Sequence, residues 1–212
     1  MTHLTSYKRP KTELLAPAGG MEQLEYALHF GADAIYTGGT RFGLRTRAQN
    51  FDELELREAT RKVHEAGKKI FITANIVMHN EDIEALAAYA DLLEDIGVDA
   101  VIISDLGALR IMREHAPSVA IHVSTQASVA NYQTACMWHE LGAKRVVLAR
   151  ELSLEEIRTI RAHVPDDLEL EVFVHGAMCM SYSGRCLISN YLTNRDANRG
   201  HCTQPCRWNY VL

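Results

Sequence analysis

The chain has 212 residues, of which 47% are hydrophobic and 23% are charged, and its formal net charge is −5. This composition is that of an ordinary soluble globular protein, long enough to bury a core without disulfide or metal support. The net negative charge excludes a strong, indiscriminate nucleic-acid binder. The first residues contain no apolar signal segment, and no run of about 18 apolar residues occurs, so we expect a cytoplasmic protein without a membrane span.

One structural unit recurs along the chain: a helix, a glycine, one or two polar residues and then a short β-branched apolar run. The glycines of the four clearest repeats are Gly31, Gly67, Gly97 and Gly142. A glycine that follows the last helical residue adopts a left-handed conformation, which ends the helix and turns the chain into the next strand. Because the runs are apolar almost throughout, they predict parallel strands that are covered on both faces.

Three further strands complete the alternation, at Glu13–Ala16, Ala120–Thr125 and Leu168–Val174. Seven strands alternating with helices predict a (β/α)8 TIM-barrel-like domain over residues 1–175. A doubly wound open sheet is the alternative, but the loop after the first strand, PAGG, lacks the G-x-G-x-x-G pattern of a dinucleotide fold. An eighth strand is not visible, so we expect a barrel that is truncated after the seventh strand or incomplete by design.

Local signals also mark where the helices begin. Ser153 is followed three residues later by Glu156, which predicts a capping box at the start of a helix.

Cys136 lies within the predicted helix NYQTACMWHELG, far from the other cysteines, and we expect it to be a buried structural thiol.

In a barrel of this kind the functional side chains lie at the carboxyl ends of the strands. Those positions are occupied by Tyr36, Asn75, Asp105, Ser124, Gln126, Arg150, Glu151 and His175. Three of them, His175, Asn75 and Asp105, are candidate catalytic residues, and Gln126 is a candidate substrate-binding residue. The alternatives are that Asn75 and Asp105 cap the following helices, and that His175 is an ordinary polar residue at a strand end.

The loop after the second strand, GGTRFGLRTRAQNF, carries Arg41, Arg45 and Arg47. A guanidinium group donates two hydrogen bonds at once to a carboxylate or a phosphate, so three arginines beside the barrel mouth suit an anionic ligand. We therefore predict that they bind substrate. A solvated cationic loop is the alternative.

Four of the five cysteines lie close together near the end of the chain, at Cys179, Cys186, Cys202 and Cys206, within a cysteine segment that we define as residues 176–212. Their spacing is C-x6-C-x15-C-x3-C, which lacks the C-x2-C pairs typical of structural zinc sites. Clustered thiolates bind soft metals, so the spacing favours an iron–sulfur cluster. Zinc, disulfides or unliganded thiols remain the alternatives.

The same segment is locally basic. The arginines Arg185, Arg195, Arg199 and Arg207 face a single acid, Asp196, between residues 184 and 207, and Tyr182, Tyr191 and Trp208 lie among or beside them. Cations that neutralise phosphates and aromatic rings that stack on bases are the elements of single-stranded RNA recognition. We predict that the first three arginines of this set bind substrate.

The stretch FVHGAMCMSYSGRCLISNYLTNRDANRGHCTQPCRW resembles the signature of the collagenase-like peptidase U-32 family. The resemblance extends upstream through ELLAPAGG, GADAIYTGG, VSTQASVANY and ARELSLEEI, so it covers nearly the whole chain. Within the family, the branch that hydroxylates tRNA is the most similar. Family members continue into a further domain after the barrel, so the resemblance implies that this chain is the truncated, amino-terminal barrel portion.

The resemblance implies an oxygen-independent hydroxylase that carries an iron–sulfur cluster of the 4Fe-4S type. The implied reaction forms 5-hydroxyuridine at the wobble position of tRNA, with prephenate as a small carboxylate co-substrate and a redox partner. Related branches hydroxylate ribosomal RNA or the ubiquinone ring. The implied cluster ligands are Cys179, Cys186, Cys202 and Cys206. Since some relatives take their fourth ligand from elsewhere, the assignment of Cys206 is the weakest.

The family name also implies a peptidase, but the chain lacks the usual peptidase motifs. The H-E pairs at His64 and His139 have no second histidine four residues after the first, as H-E-x-x-H requires, and there is no G-x-S-x-G motif. The clustered cysteines also suit metal ligands better than one activated nucleophile. A peptidase, and a non-catalytic cluster-bearing module that needs a partner chain, remain the alternatives from other functional classes.

Overall fold

The computed structural model describes residues 12–44 and 50–211. Within these ranges the chain forms one parallel sheet of seven strands, in the order in which they occur along the chain. The strands are β1 Leu15–Pro17, β2 Ala34–Gly38, β3 Lys69–Ala74, β4 Ala100–Ile103, β5 Ala120–Val123, β6 Arg145–Val147 and β7 Glu169–Glu171. Sequential order confirms the TIM-barrel-like architecture, because a doubly wound sheet reverses its strand order part-way through.

Three predicted strands differ in extent from the sequence prediction: β1 spans Leu15–Pro17 instead of Glu13–Ala16, and β5 and β7 end earlier than predicted. Apolar residues continue beyond the end of β7, but Val172, Phe173 and Val174 are exposed and leave the sheet. After β5 the chain turns instead into a short 3-10 helix over Thr125–Ala127. Apolar character alone therefore overestimates how far a strand stays paired, since pairing also needs a neighbouring strand.

In the described ranges, six longer helices connect the strands, and a seventh lies in the cysteine segment. They are α1 Met21–His29, α2 Glu53–Glu65, α3 Asn80–Ile96, α4 Leu106–His115, α5 Tyr132–Glu140, α6 Leu154–His163 and α7 Ile188–Thr193. The capping box of Ser153 and Glu156 is confirmed at the start of α6. The four repeat glycines all have positive φ angles, as the helix-ending role requires. No helix in the described ranges is long and apolar enough to cross a membrane.

The main core lies between the sheet and the surrounding helices, and a second, smaller cluster fills the inside of the sheet. That inner cluster contains Ala34, Phe71, Ala100 and Ile102. Cys136 on α5 packs against the main core and is half-buried rather than fully buried. Its thiol lies 3.7 Å from the carbonyl oxygen of His163, which agrees with a structural role.

The inside of the sheet also contains a charged cluster. The guanidinium of Arg145, on β6, lies 5.0 Å from the centre of the Phe71 ring. It donates to Glu13 at 2.7 Å, to Glu169 at 2.7 Å and to Glu171 at 3.2 Å. Glu13 precedes β1, which is the first edge strand of the sheet. Its contact with Arg145 therefore shows that the sheet curls enough for a side chain on β6 to reach the edge at β1.

Candidate functional site at the barrel mouth

The cysteine segment lies across the carboxyl ends of the strands. The carbonyl of Asn198 accepts a hydrogen bond from the backbone N–H of Val77, in the loop after β3, at 2.9 Å. Farther round the mouth, Arg185 donates to the carbonyl of Gln126, which follows β5, at 2.8 Å. The fold therefore brings the cysteine segment to the end of the sheet where barrel enzymes place their chemistry.

Two adjacent residues in the turn after β6 hold the segment near its first cysteine. Arg150 donates to the carbonyl of Ala177 at 3.4 Å and lies 5.8 Å from the centre of the Phe173 ring. Glu151 accepts hydrogen bonds from both the backbone N–H and the hydroxyl of Ser183, at 2.6 Å and 3.2 Å. The sequence predicts that Arg150 and Glu151 lie at the barrel mouth but does not indicate which residues they contact. The structure shows that both contact the cysteine segment.

Asn198 contacts one of the predicted cluster ligands, a contact that sequence reasoning missed. Its side-chain oxygen accepts the N–H of Cys186 at 3.0 Å, and its side-chain nitrogen donates to the carbonyl of the same cysteine at 3.1 Å. Its own N–H donates to Asp196 at 2.8 Å. The Asp196–Asn198 spacing is a signal of a local turn. Nothing in the sequence indicates that this turn forms hydrogen bonds with a cysteine twelve residues earlier.

Hydrogen-bond donors lie beside three of the four thiols of the segment. The Sγ of Cys179 accepts the N–H of Ser181 at 3.4 Å, and the Sγ of Cys202 accepts the N–H of Gln204 at 3.3 Å. The Ser181 side chain, together with N–H groups at the start of α7, lowers the pKa of Cys186. Hydrogen bonds to sulfur favour the thiolate, which is the form that binds metals.

The donor chemistry therefore fits an iron–sulfur cluster, and all five cysteines are free. The arrangement is not that of a closed metal site, since in the described part of the chain no three histidine, cysteine, aspartate or glutamate side chains are grouped to hold one ion. Cys179, Cys186 and Cys202 are half-buried and Cys206 is exposed. The assignment of these four residues as cluster ligands stays a prediction.

The predicted catalytic residues have different surroundings. Asn75 donates to the hydroxyl of Ser124 at 3.1 Å and to the side-chain oxygen of Gln126 at 3.4 Å, and the Ser124 hydroxyl also bonds to that oxygen. Asp105 caps α4 by accepting the N–H of Ala108 at 2.9 Å, and His175 is exposed. The structure thus brings Asn75 and Gln126 together, while the geometry of Asp105 is that of the helix cap. Their catalytic roles stay predictions.

The predicted arginines fall into two groups. Arg41 and Arg195 are exposed, whereas Arg199 forms an ion pair with Asp82, in the first turn of α3, and Arg185 is anchored to the mouth. A cavity of about 280 Å³ lies between the loop after β2 and the cysteine segment, and both Arg41 and Arg199 line it. Arg45 and Arg47 lie outside the described residues.

Exposed aromatic rings accompany these arginines on the cysteine segment. The side chain of Tyr191 is 88% exposed and that of Tyr182 is 53% exposed. The indole of Trp208 donates to the carbonyl of Thr203 at 3.2 Å while 45% of the residue stays exposed. Rings with open faces beside cations are able to stack on unpaired bases.

The histidines of the two H-E pairs lie on helices and are engaged elsewhere. His64 on α2 bonds to Asp99 at 2.9 Å, and His139 on α5 bonds to Asp167 at 3.2 Å. Asp99 precedes β4 and Asp167 precedes β7, so both pairs lie at the opposite end of the sheet from the cysteine segment. This geometry does not support a metallopeptidase site.

Comparison with known proteins decides the family. The model of peptidase family U32 matches residues 19–212. The chain belongs to peptidase family U32. Among U32 relatives, tRNA hydroxylation protein P1 of Bacillus subtilis (strain 168) is 48% identical over 202 residues, which is 95% of this chain and 47% of that protein. The expected family membership is confirmed.

Other U32 relatives extend this result. tRNA hydroxylation protein P of Escherichia coli (strain K12) is 46% identical over 200 residues, which is 94% of this chain and 44% of the relative. The 23S rRNA 5-hydroxycytidine C2501 synthase of the same strain is 40% identical, over 95% of this chain and 30% of that protein. The chain thus spans less than half the length of these relatives.

A solved structure agrees with the fold. The structure of the U32 peptidase Mk0906 superimposes with a TM-score of 0.64 and 19% sequence identity, covering 79% of this chain and 73% of that one. At this level of identity the match supports the shared architecture alone.

Proposed function

We propose that this U32 chain acts in an iron–sulfur-dependent, oxygen-independent RNA hydroxylase. The observation that carries the proposal is the position of the cysteine segment, whose hydrogen-bonded thiols lie over the carboxyl ends of the strands. Relatives that are 46% and 48% identical are named as tRNA hydroxylation proteins, which supports tRNA as the substrate. The rRNA 5-hydroxycytidine synthase supports hydroxylation of RNA in the wider family.

The specific reaction that we propose is formation of 5-hydroxyuridine at the wobble position of tRNA, with prephenate as co-substrate. Cys179, Cys186, Cys202 and Cys206 would hold a 4Fe-4S cluster, which supplies electron transfer when bound. A redox partner would exchange those electrons. Because the tRNA substrate is cytoplasmic, so is the proposed location of the protein.

The remaining roles follow from the positions of the charged and aromatic side chains. Arg195 and the exposed face of Tyr191 would contact the unpaired anticodon loop, which offers phosphates and open base faces. Arg41, exposed at the edge of the cavity beside Arg199, would bind the carboxylate of the co-substrate. Gln126, joined to Asn75, would present amide groups suited to the edge of a base.

The test begins with iron and acid-labile sulfide per chain on protein purified without oxygen, followed by mass spectrometry for 5-hydroxyuridine in tRNA. We expect near-stoichiometric iron and sulfide, and hydroxylated uridine that depends on both prephenate and the cluster. Zinc in place of iron would show that the cysteine segment has a structural metal and would overturn the proposal. Hydroxylation that persists after removal of iron would overturn the role of the cluster.

The family description favours a second candidate, a peptidase. A peptidase would cleave collagen or peptides, and the cleavage would survive removal of iron. Assaying collagen cleavage before and after chelation separates the two functions on the same sample.

A further inference from the structure

Three residues of the cysteine segment other than glycine have left-handed φ angles, Ser183, Asn194 and Gln204, and of these only Ser183 is buried. Ser183 has φ 47° and ψ 26°, and its side chain is fully buried. This is the left-handed region, which residues other than glycine, asparagine and aspartate rarely enter because Cβ crowds the following carbonyl. The next residue, Gly184, is also left-handed, with φ 83°. Two consecutive left-handed residues reverse the chain between Cys179 and Cys186.

The barrel supplies the group that holds Ser183 in this conformation. The two carboxylate oxygens of Glu151 accept the N–H and the hydroxyl of Ser183 separately, so the side chain and the backbone are held from the same direction. A charged acceptor makes both bonds stronger than bonds to a neutral group. Glu151 itself lies in the turn between β6 and α6, four residues after β6 ends and two residues before Ser153, the N-cap of α6.

The reversal at Ser183 determines how two thiols are presented. Ser181, two residues earlier, donates its N–H to the Sγ of Cys179 at 3.4 Å, and on the other side of the turn Asn198 bonds to the N–H and the carbonyl of Cys186 at 3.0 Å and 3.1 Å. Cys179 and Cys186 therefore lie on the two sides of the turn, so the direction in which the chain leaves Ser183 affects how the two thiols are placed relative to each other. A relaxed, right-handed Ser183 would send the chain towards Cys186 in a different direction.

We propose that Glu151 is a positioning residue for the Cys179 and Cys186 pair: it stabilises the left-handed Ser183 and thereby sets the relative placement of the two thiols before any cluster binds. The proposal rests on the proposed function only in treating these thiols as ligands. The proposal requires that Glu151 act by stabilising the backbone conformation of Ser183. An ordinary surface hydrogen bond would not have this effect.

The experiment compares Glu151→Ala, Ser183→Gly and the double variant, with Glu155→Ala as the control because that carboxylate is 84% exposed on α6. In metal-free protein, hydrogen exchange of residues 177–186 is measured against α5 as an internal reference. We expect Glu151→Ala to speed exchange in this stretch about tenfold, the factor that corresponds to the cost of a left-handed residue. The double variant should recover most of the protection, because glycine adopts this conformation without strain.

Iron and sulfide per chain provide the second readout. Iron should fall in Glu151→Ala, return in the double variant and stay at the wild-type level in Glu155→Ala. Unchanged exchange in Glu151→Ala, or a double variant as unprotected as the single one, would overturn the proposal. If the wild type binds no iron, the proposed function fails, and the hydrogen-exchange series still decides the role of Glu151.

Discussion

The guanidinium of Arg199 and the carboxylate of Asp82 join the cysteine segment to the first turn of α3 through two hydrogen bonds, of 2.6 Å and 3.0 Å. Arg199 also donates to the carbonyl of Val77 at 3.1 Å. Both side chains are mostly buried, at 21% and 12% exposed. This ion pair therefore attaches the cysteine segment to the barrel at α3, whereas Glu151 attaches it at the turn after β6.

Replacing Arg199 with lysine should loosen this attachment. Lysine keeps the charge but cannot make the two-point contact with Asp82, so we expect a loss of about 1–3 kcal/mol in the free energy of unfolding. Urea denaturation measures this loss, and hydrogen exchange of residues 196–207 localises it. Arg195→Lys, at an exposed position in the same segment, is the control and should change neither. Equal effects of the two substitutions would contradict the role given to Arg199.

The same pair predicts how the attachment responds to acid. The Arg199 guanidinium, by donating to the carboxylate, lowers the pKa of Asp82 in the folded protein. A lowered folded-state pKa means that the stabilisation is fully present above the ordinary aspartate value of about 3.9 and is lost as the pH falls through the lower folded value. We expect the hydrogen-exchange protection of residues 196–207 to be constant from about pH 8 to about pH 5. It should fall once the pH drops below the ordinary aspartate pKa of about 3.9. An Asp82→Asn protein should lack the acid transition.

Arg145 should be more important to the stability of the barrel than any surface arginine. Its side chain is 7% exposed and faces three carboxylates, so Arg145→Met leaves Glu13, Glu169 and Glu171 without a partner. Removing one partner of a buried ion pair costs about 3–5 kcal/mol, and the partial exposure of these carboxylates places the expected loss near the lower limit. Urea denaturation measures it. Arg110→Met, on the surface of α4, should change stability by less than about 0.5 kcal/mol. A loss that small at Arg145 would show that the carboxylates are fully hydrated.

The cysteines should differ in their effect on iron content. Serine at Cys179, Cys186 or Cys202 should abolish iron binding, because each of these thiols is held in a local hydrogen-bonded setting. Cys206→Ser, at an exposed position, tests the weakest of the four assignments. Cys136→Ser is the matched control, since this thiol packs on α5 against the core. Iron and sulfide are measured in protein purified without oxygen, and loss of iron in Cys136→Ser would show that the assay reports misfolding.

The sequence by itself determined the elements and their order. A glycine after four of the helices, an apolar β-branched run after each of those glycines and the Ser153–Glu156 pair are signals that lie within a few residues of the structure they specify. The same locality explains the error at β7, where the apolar run continues after the pairing ends. It also explains why Asp105 was ambiguous, since a helix cap and a catalytic aspartate at a strand end look alike in sequence.

Only the tertiary structure decided which polar groups meet. Arg145 reaches Glu13 across 132 positions, Arg199 reaches Asp82 across 117, and Ser183 reaches Glu151 across 32. The sequence presents each of these as a charged or polar residue with many possible partners. The choice among partners depends on how the sheet curls and where the cysteine segment docks, and both are set by the packing of the whole core, which no local pattern of residues encodes.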